Sequence, residues 1–542
     1  MGSGLINIYR NKVKSEWKIA FIATVILGFL IHSYRFTNTL LNHDALYNYY
    51  SSQNIVGSGR WFLSLVCGIS SYYNLPWAIG VLSILFIALT TIVICEIFEI
   101  KNPVLSIIIG GILVSFPAIT DTFYFEFTAD GYMIAMFLSA LAVRFALIKE
   151  HRIQYLVASG ICICLACGIY QAYVSFALLL AVAYFITKIF EGQYSNKEYL
   201  IWIRNEIIIY AAAMIVYYVV WKLCMHFEHF DATTYLGIDR LGQMNIHNIY
   251  GAIYSTVVGF ILFLFDWNIF EHGLTTWSAI NIIFVFAACV VLITAIVKSN
   301  IIKRKLQFCL GILAVISMPF IIYLWYFSSA SVVYSTRMLQ SFALIYIMIA
   351  VLADRWLNVR YSTMVGAILA IFIFINGITA NVFYYYMQRC NQQSYANAIE
   401  IATRIHELDD GTITKIAIGG GMDTWNEEEY INLRTLGNLG KLKSASKNLL
   451  YEQIHTCLYL DNELGFELSY YRMNKDIEIP EKEKEESEPV TDEWTFKFPM
   501  VSSDELSEIT ASAEYKDMPS WPAVGSVVVK GNTIIVKLSD VK

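Results

Sequence analysis

Long apolar runs separated by short polar stretches fill the first 385 residues. A helix that crosses a hydrocarbon core about 30 Å thick needs about 17–25 apolar residues. Runs of that length predict spans near 17–34, 77–97, 103–119, 128–147, 153–171, 173–190, 205–223, 276–297, 307–327, 338–353 and 362–385. Two shorter apolar stretches, 61–72 and 250–266, lie beside polar loops and read as re-entrant or interfacial helices. Basic residues test the order of the spans. Arg10, Lys12, Lys14 and Lys18 precede the first span, and Lys101 follows the second. Arg144, Lys149 and Arg152, then Lys188, Lys197 and Arg204, then Lys298, Lys303, Arg304 and Lys305, and finally Arg355 and Arg360 fall in alternate loops. Loops rich in Lys and Arg stay in the cytoplasm. About eleven spans then leave the N-terminus cytoplasmic and the C-terminus extracytoplasmic. A full crossing by 250–266 would move 298–305 outside, against that rule.

After about residue 386 the pattern becomes that of a soluble protein. Apolar residues at helical spacing predict a helix over 391–408. KIAIGGG (415–421) reads as a strand that ends in a glycine turn, and 478–493 as a charged, proline-bearing linker. GSVVVKGNTIIVKLS (525–539) reads as a β-hairpin whose turn contains Gly531 and Asn532. The expected architecture is an all-α polytopic membrane domain of about eleven transmembrane helices over 1–386. A small α/β extracytoplasmic domain over 387–542 follows it. No internal repeat at a fixed period is visible.

Composition sharpens this picture. Of 542 residues 57% are hydrophobic and 15% charged, against about 25% charged in a soluble domain. The net charge of −6 arises largely after about residue 400. No dense basic face marks a nucleic-acid binder. No cleavable signal is expected, since no small-residue cleavage motif closes the long first apolar run. The ten cysteines lack metal-ligand spacing, and Cys162, Cys164 and Cys167 read as small core residues. Cys390 and Cys457 share the oxidising outer region, where a disulfide between them is an option. His226, His229 and Asp231 offer three ligand types, but their spacing is no known signature and histidines are common in loops. The sequence points to no definite cofactor, and a divalent metal stays open.

A charge near hydrocarbon is costly and marks a candidate functional site. In NHDALYNYYSSQNIVGSGRW (42–61), Asp44 sits just past the first span and Arg60 opens the next apolar stretch. The third span ends in FPAITDTFYFEFTADGY (116–132). Asp121 lies in that loop, while Glu126 and Asp130 flank the fourth span and share one face of a continuing helix. Gln171, in GIYQAY (168–173), closes the fifth span, and Arg337, in YSTRML (334–339), begins the tenth. All fall at one depth, on the outer side. Asp44, Asp121, Glu126 and Asp130 are candidate catalytic carboxylates, able to take a proton from an attacking hydroxyl. Arg60 and Arg337 are candidate clamps for a donor phosphate. His43, Trp61, Tyr170 and Gln171 are candidate substrate-binding residues. Tyr47, Tyr49, Tyr50, Trp61, Tyr124, Tyr132, Tyr170 and Tyr173 line the same layer. Sugar sites favour such rings, and so does any membrane interface.

The HDALYNYY and GSGRW block, GIYQAY, STRML and the closing WPAVGSVVVKGNTIIVKLS resemble, in order, the phage serotype-conversion glucosyltransferases of the Gtr type II group. That resemblance implies membership of the GT-C superfamily of polytopic glycosyltransferases. It implies a polyprenyl-phosphate-linked sugar donor and a surface glycan acceptor, such as an O-antigen or cell-wall polysaccharide, with transfer on the outer face of the plasma membrane. Such enzymes carry an acidic base in the first outer loop, and Asp44 matches that position. His43 stands where a second acidic residue is expected. Two other readings remain open on the residues alone. A transporter or flippase of lipid-linked glycans would favour charges at the midplane and paired broken helices. A non-catalytic scaffold would tolerate loss of Asp44.

Overall fold

The structure is a computed structural model, and it describes residues 14–48, 51–67, 75–148, 152–233, 245–265, 274–329, 331–422, 448–465 and 500–540. The linker 478–493 and Tyr49 and Tyr50 lie outside the described residues, as does the side chain of Tyr47. The chain forms two compact units. The first comprises Met1–Thr39, Ser52–Phe383 and Ile431–Ser444. The second comprises Leu40–Ser51, Tyr384–Tyr430 and Ala445–Lys542.

The first unit is helical. Twelve helices among the described residues are long and apolar enough to cross a membrane, one more than the apolar runs predict. The extra helix is Ile246–Phe265, 20 residues long. Asn54 donates to Glu228 at 2.8 Å, and the Thr233 N–H donates to the Gly57 carbonyl at 3.1 Å. Arg304 donates to the carbonyls of Ile189 at 3.0 Å and Phe190 at 3.1 Å, at the far end of helix Ala172–Glu191. Thr233 and Arg304 therefore lie at opposite ends of the first unit, and helix Thr276–Ser299 leads to the Arg304 end. Helix Ile246–Phe265 precedes it in the chain. It runs up to the start of the next helix, where Trp277 donates to the Phe263 carbonyl at 2.8 Å.

The unit has two polar ends. At one, Lys188 is 4% exposed and pairs with Glu99 at 3.2 Å and Glu191 at 3.0 Å. Arg355 joins Glu191, and Lys298 donates to the Trp356 carbonyl at 2.8 Å. A buried lysine is tolerated only when paired in this way. Tyr173, in the first turn of helix Ala172–Glu191, marks the other end. At 1.5 Å per residue Glu191 and Tyr173 lie about 27 Å apart.

The second unit is α/β. Strands β1 (Lys415–Gly419), β2 (Val527–Lys530) and β3 (Thr533–Lys537) form a sheet in the order β1-β3-β2, β1 parallel and β2 antiparallel to β3. The hairpin turns at Gly531, whose φ is +59°. The helix expected over 391–408 is instead the end of one continuous helix, Val359–Leu408. Its second half packs Ala398, Ile401 and Ile405 on the sheet. Arg404 fastens the WPAVG turn: it stacks over Trp521 at 4.3 Å and donates to the Pro522 and Ala523 carbonyls. Cys390 and Cys457 are buried thiols not joined in a disulfide. Burial pushes the Cys457 thiol well up, which makes it inert.

Candidate active site

In the first unit the candidate carboxylates gather with arginines the sequence separates widely. Asp121 accepts the backbone N–H of Arg337 at 2.9 Å. Asp130, in the first turn of helix Ala129–Ala146, accepts the Gly131 N–H at 2.9 Å, and the Cys67 thiol donates to it at 3.5 Å. A carboxylate suits that helix end, where the peptide dipoles point their positive side. Glu126 forms an ion pair with Arg35. Arg35 is 2% exposed in the last turn of the first helix and also donates to the Phe123 carbonyl at 2.9 Å. All three carboxylates are buried and engaged.

The two candidate phosphate arginines meet at one tyrosine. Arg60 donates to the Tyr132 hydroxyl at 3.1 Å, and its guanidinium lies 4.8 Å from the centre of the Tyr170 ring. Tyr132 and Tyr170 stack at 4.3 Å with their planes 2° apart. Arg337 lies 3.6 Å over the Phe125 ring, with its guanidinium beside the Tyr170 phenol. Arg60 Nε, Trp61 Nε1 and the Tyr173 hydroxyl are buried with no hydrogen-bond partner among the described residues. Leaving such donors unmet costs about 1–3 kcal/mol each, so the cluster suits an oxygen-rich ligand.

Gln171 follows the end of helix Arg152–Ile169 and stands at the N-cap of helix Ala172–Glu191, where its side chain makes no cap hydrogen bond. Its amide donates to the Ser58 carbonyl at 2.7 Å and the Tyr217 hydroxyl at 3.2 Å, which secures the turn before Arg60. Gly59 in that turn has φ +82°, and a Cβ there would fall 2.3 Å from the Tyr217 hydroxyl. Trp61 lies on Gly168, where a Cβ would come within 2.6 Å of the indole. Both motif glycines thus hold Arg60 and Trp61 in place.

Asp44 and His43 belong to the second unit. They sit in the six-residue helix His43–Asn48, with His43 Nε2 3.2 Å from Asp44 Oδ1. The Asp44 side chain is 43% exposed, unlike the three buried carboxylates. His229 ends helix Asn196–Glu228 in a left-handed conformation, and Asp231 lies beyond it. Among the described residues no three His, Cys, Asp or Glu side chains gather as a metal site.

Residues 33–349, more than half of the chain, match the family described as glucosyl transferase GtrII. The chain belongs to that family. No curated protein and no solved structure matches it.

The matched stretch of this glucosyltransferase contains Arg35, His43, Asp44, Arg60, Trp61, Asp121, Glu126, Asp130, Tyr170, Gln171 and Arg337. The closing WPAVG segment and all three strands lie beyond it. Sequence reasoning missed Arg35 and Tyr217. The signal for Arg35 was present: an arginine at the end of an apolar run, the same signal that singled out Arg337.

Proposed function

We propose that this glucosyltransferase is of the GT-C type. It moves a hexose, glucose, from a polyprenyl-phosphate carrier to a cell-surface glycan on the outer face of the plasma membrane. The convergence of Arg60 and Arg337 on Tyr170, at the end of a membrane helix bundle, carries the reading. Two guanidiniums suit a phosphate, and a lipid-linked phosphate sits at the edge of the hydrocarbon while its tail stays inside. The acceptor's hydroxyl oxygen attacks the anomeric carbon. The bond from that carbon to the phosphate oxygen breaks, and polyprenyl phosphate leaves with the electron pair. We assign Asp44 as the base that takes the hydroxyl proton, because its carboxylate is half exposed and the others are held. A single direct displacement inverts the anomeric carbon. The test is incubation of purified protein and the host's surface glycan with glucosyl polyprenyl phosphate or with a nucleotide sugar. Transfer from the lipid donor alone is expected; transfer from the nucleotide sugar alone would overturn the assignment.

The basic end of the first unit is assigned to the cytoplasm, and with 250–266 taken as non-crossing the count of about eleven spans assigns residues 387–542 to the outside. Ser503 is exposed at the start of helix Ser503–Ala511. In spheroplasts, a membrane-impermeant thiol reagent is expected to label Ser503→Cys above the level of the parent chain. Labelling only after lysis would reverse the orientation.

A further inference from the structure

We infer that the second unit is the mount of the Asp44 loop, with Tyr451 and His455 as positioning residues for the His43–Asp44 pair. This rests on the reading of Asp44 as the base. The loop is built into the second unit from both sides. Asn391, on helix Val359–Leu408, grips Leu41 twice: its carbonyl accepts the Leu41 N–H at 2.9 Å and its amide donates to the Leu41 carbonyl at 3.0 Å. Leu41 and Leu46 are buried in the same apolar cluster as the strands β1 and β3. Asp44 lies between these two anchors.

The polar side of the loop meets a fixed relay. His455, 2% exposed, has Nδ1 2.6 Å from a Glu452 carboxylate oxygen and Nε2 2.8 Å from the Tyr451 hydroxyl. The carboxylate sets the proton on Nδ1, so Nε2 accepts from the Tyr451 hydroxyl. That bond locks the Tyr451 ring, and His43 stands edge-on to it at 5.9 Å with an interplanar angle of 83°. His455 itself lies 6.4 Å from His43. The His43 ring is thereby oriented, and it is His43 that touches Asp44. A base displaced by about 1 Å loses on the order of 10²-fold in rate, so the relay acts on turnover and not on donor binding.

The experiment uses the full-length enzyme with Tyr451→Phe and His455→Gln, each alone and combined with Asp44→Asn. Tyr451→Phe removes one hydroxyl and keeps the ring, so it decides the matter alone if His455→Gln does not fold. The expected result is a fall in kcat of about 10–100-fold, with the KM for the lipid donor unchanged. In the Asp44→Asn background the same substitutions are expected to add no further loss. Unchanged kcat, or the same fractional loss in that background, would overturn the mount while leaving Asp44 as the base. A normal rate in Asp44→Asn alone would instead remove the base assignment.

Discussion

Asp44→Asn and Asp44→Ala are both expected to lower turnover by about 10²–10⁴-fold, the usual worth of a positioned base. A sugar hydroxyl is a poor nucleophile until its proton is taken, whereas a phosphate leaving group is already anionic and needs no acid. One carboxylate is therefore the minimum the reaction requires. Asp44→Asn is also the most interpretable of the carboxylate substitutions. Its side chain is 43% exposed, and its loss strands no buried partner. Glu126→Gln, by contrast, leaves Arg35 buried without its counter-charge, a loss of about 3–5 kcal/mol. Donor binding, measured with a labelled lipid donor in detergent, should survive Asp44→Asn, because the base meets the acceptor. Near-normal turnover in Asp44→Asn, together with inactivation by Asp121→Asn or Asp130→Asn, would move the base to the carboxylate whose loss inactivates.

Arg337→Ala should lower kcat by about 10²–10³-fold, the cost of removing one preorganised donor from a developing anion, and should also raise the KM for the lipid donor. The local backbone is protected in this variant, since Asp121 holds the N–H of residue 337 and alanine keeps that group. Arg337→Lys retains the charge but loses the planar fork and the stacking on Phe125. Its activity should stay close to that of Arg337→Ala. Full activity in Arg337→Ala would rule this arginine out of the phosphate site.

The spans and the hairpin were legible because each has a local signature, an apolar run of fixed length in one case and a Gly-Asn turn between β-branched residues in the other. The continuity of helix Val359–Leu408 was hidden for the same reason. Composition changes near residue 386, but MQRCN (387–391) contains no Gly or Pro to stop the helix. Helix Ile246–Phe265 has the length of a span, which the shorter apolar run at 250–266 did not show, because polar residues such as His247 and Asn248 open its first turn. Candidate carboxylates and arginines stood out as charges beside hydrocarbon. Their partners did not, because ion pairs such as Arg35–Glu126 and caps such as Asp121 on Arg337 join residues about 90 and 216 positions apart. The attachment of residues 41–46 to the second unit was equally invisible, for a short apolar pair such as Leu41 and Leu46 has no periodicity that names its distant partner.

The ion-pair network around Glu191 has a consequence for biogenesis. Lys188 reaches the membrane in the same helix as Glu191, but Arg355 is 164 residues further on. At about 5–20 residues per second of synthesis, the early helices wait roughly 8–30 s for that guanidinium. During this interval the carboxylate has its lysine alone, and the closing helix arrives with a charge that only the finished bundle neutralises. A nascent chain stopped before residue 355 leaves Glu191 with Lys188 and without the guanidinium that joins it in the finished bundle.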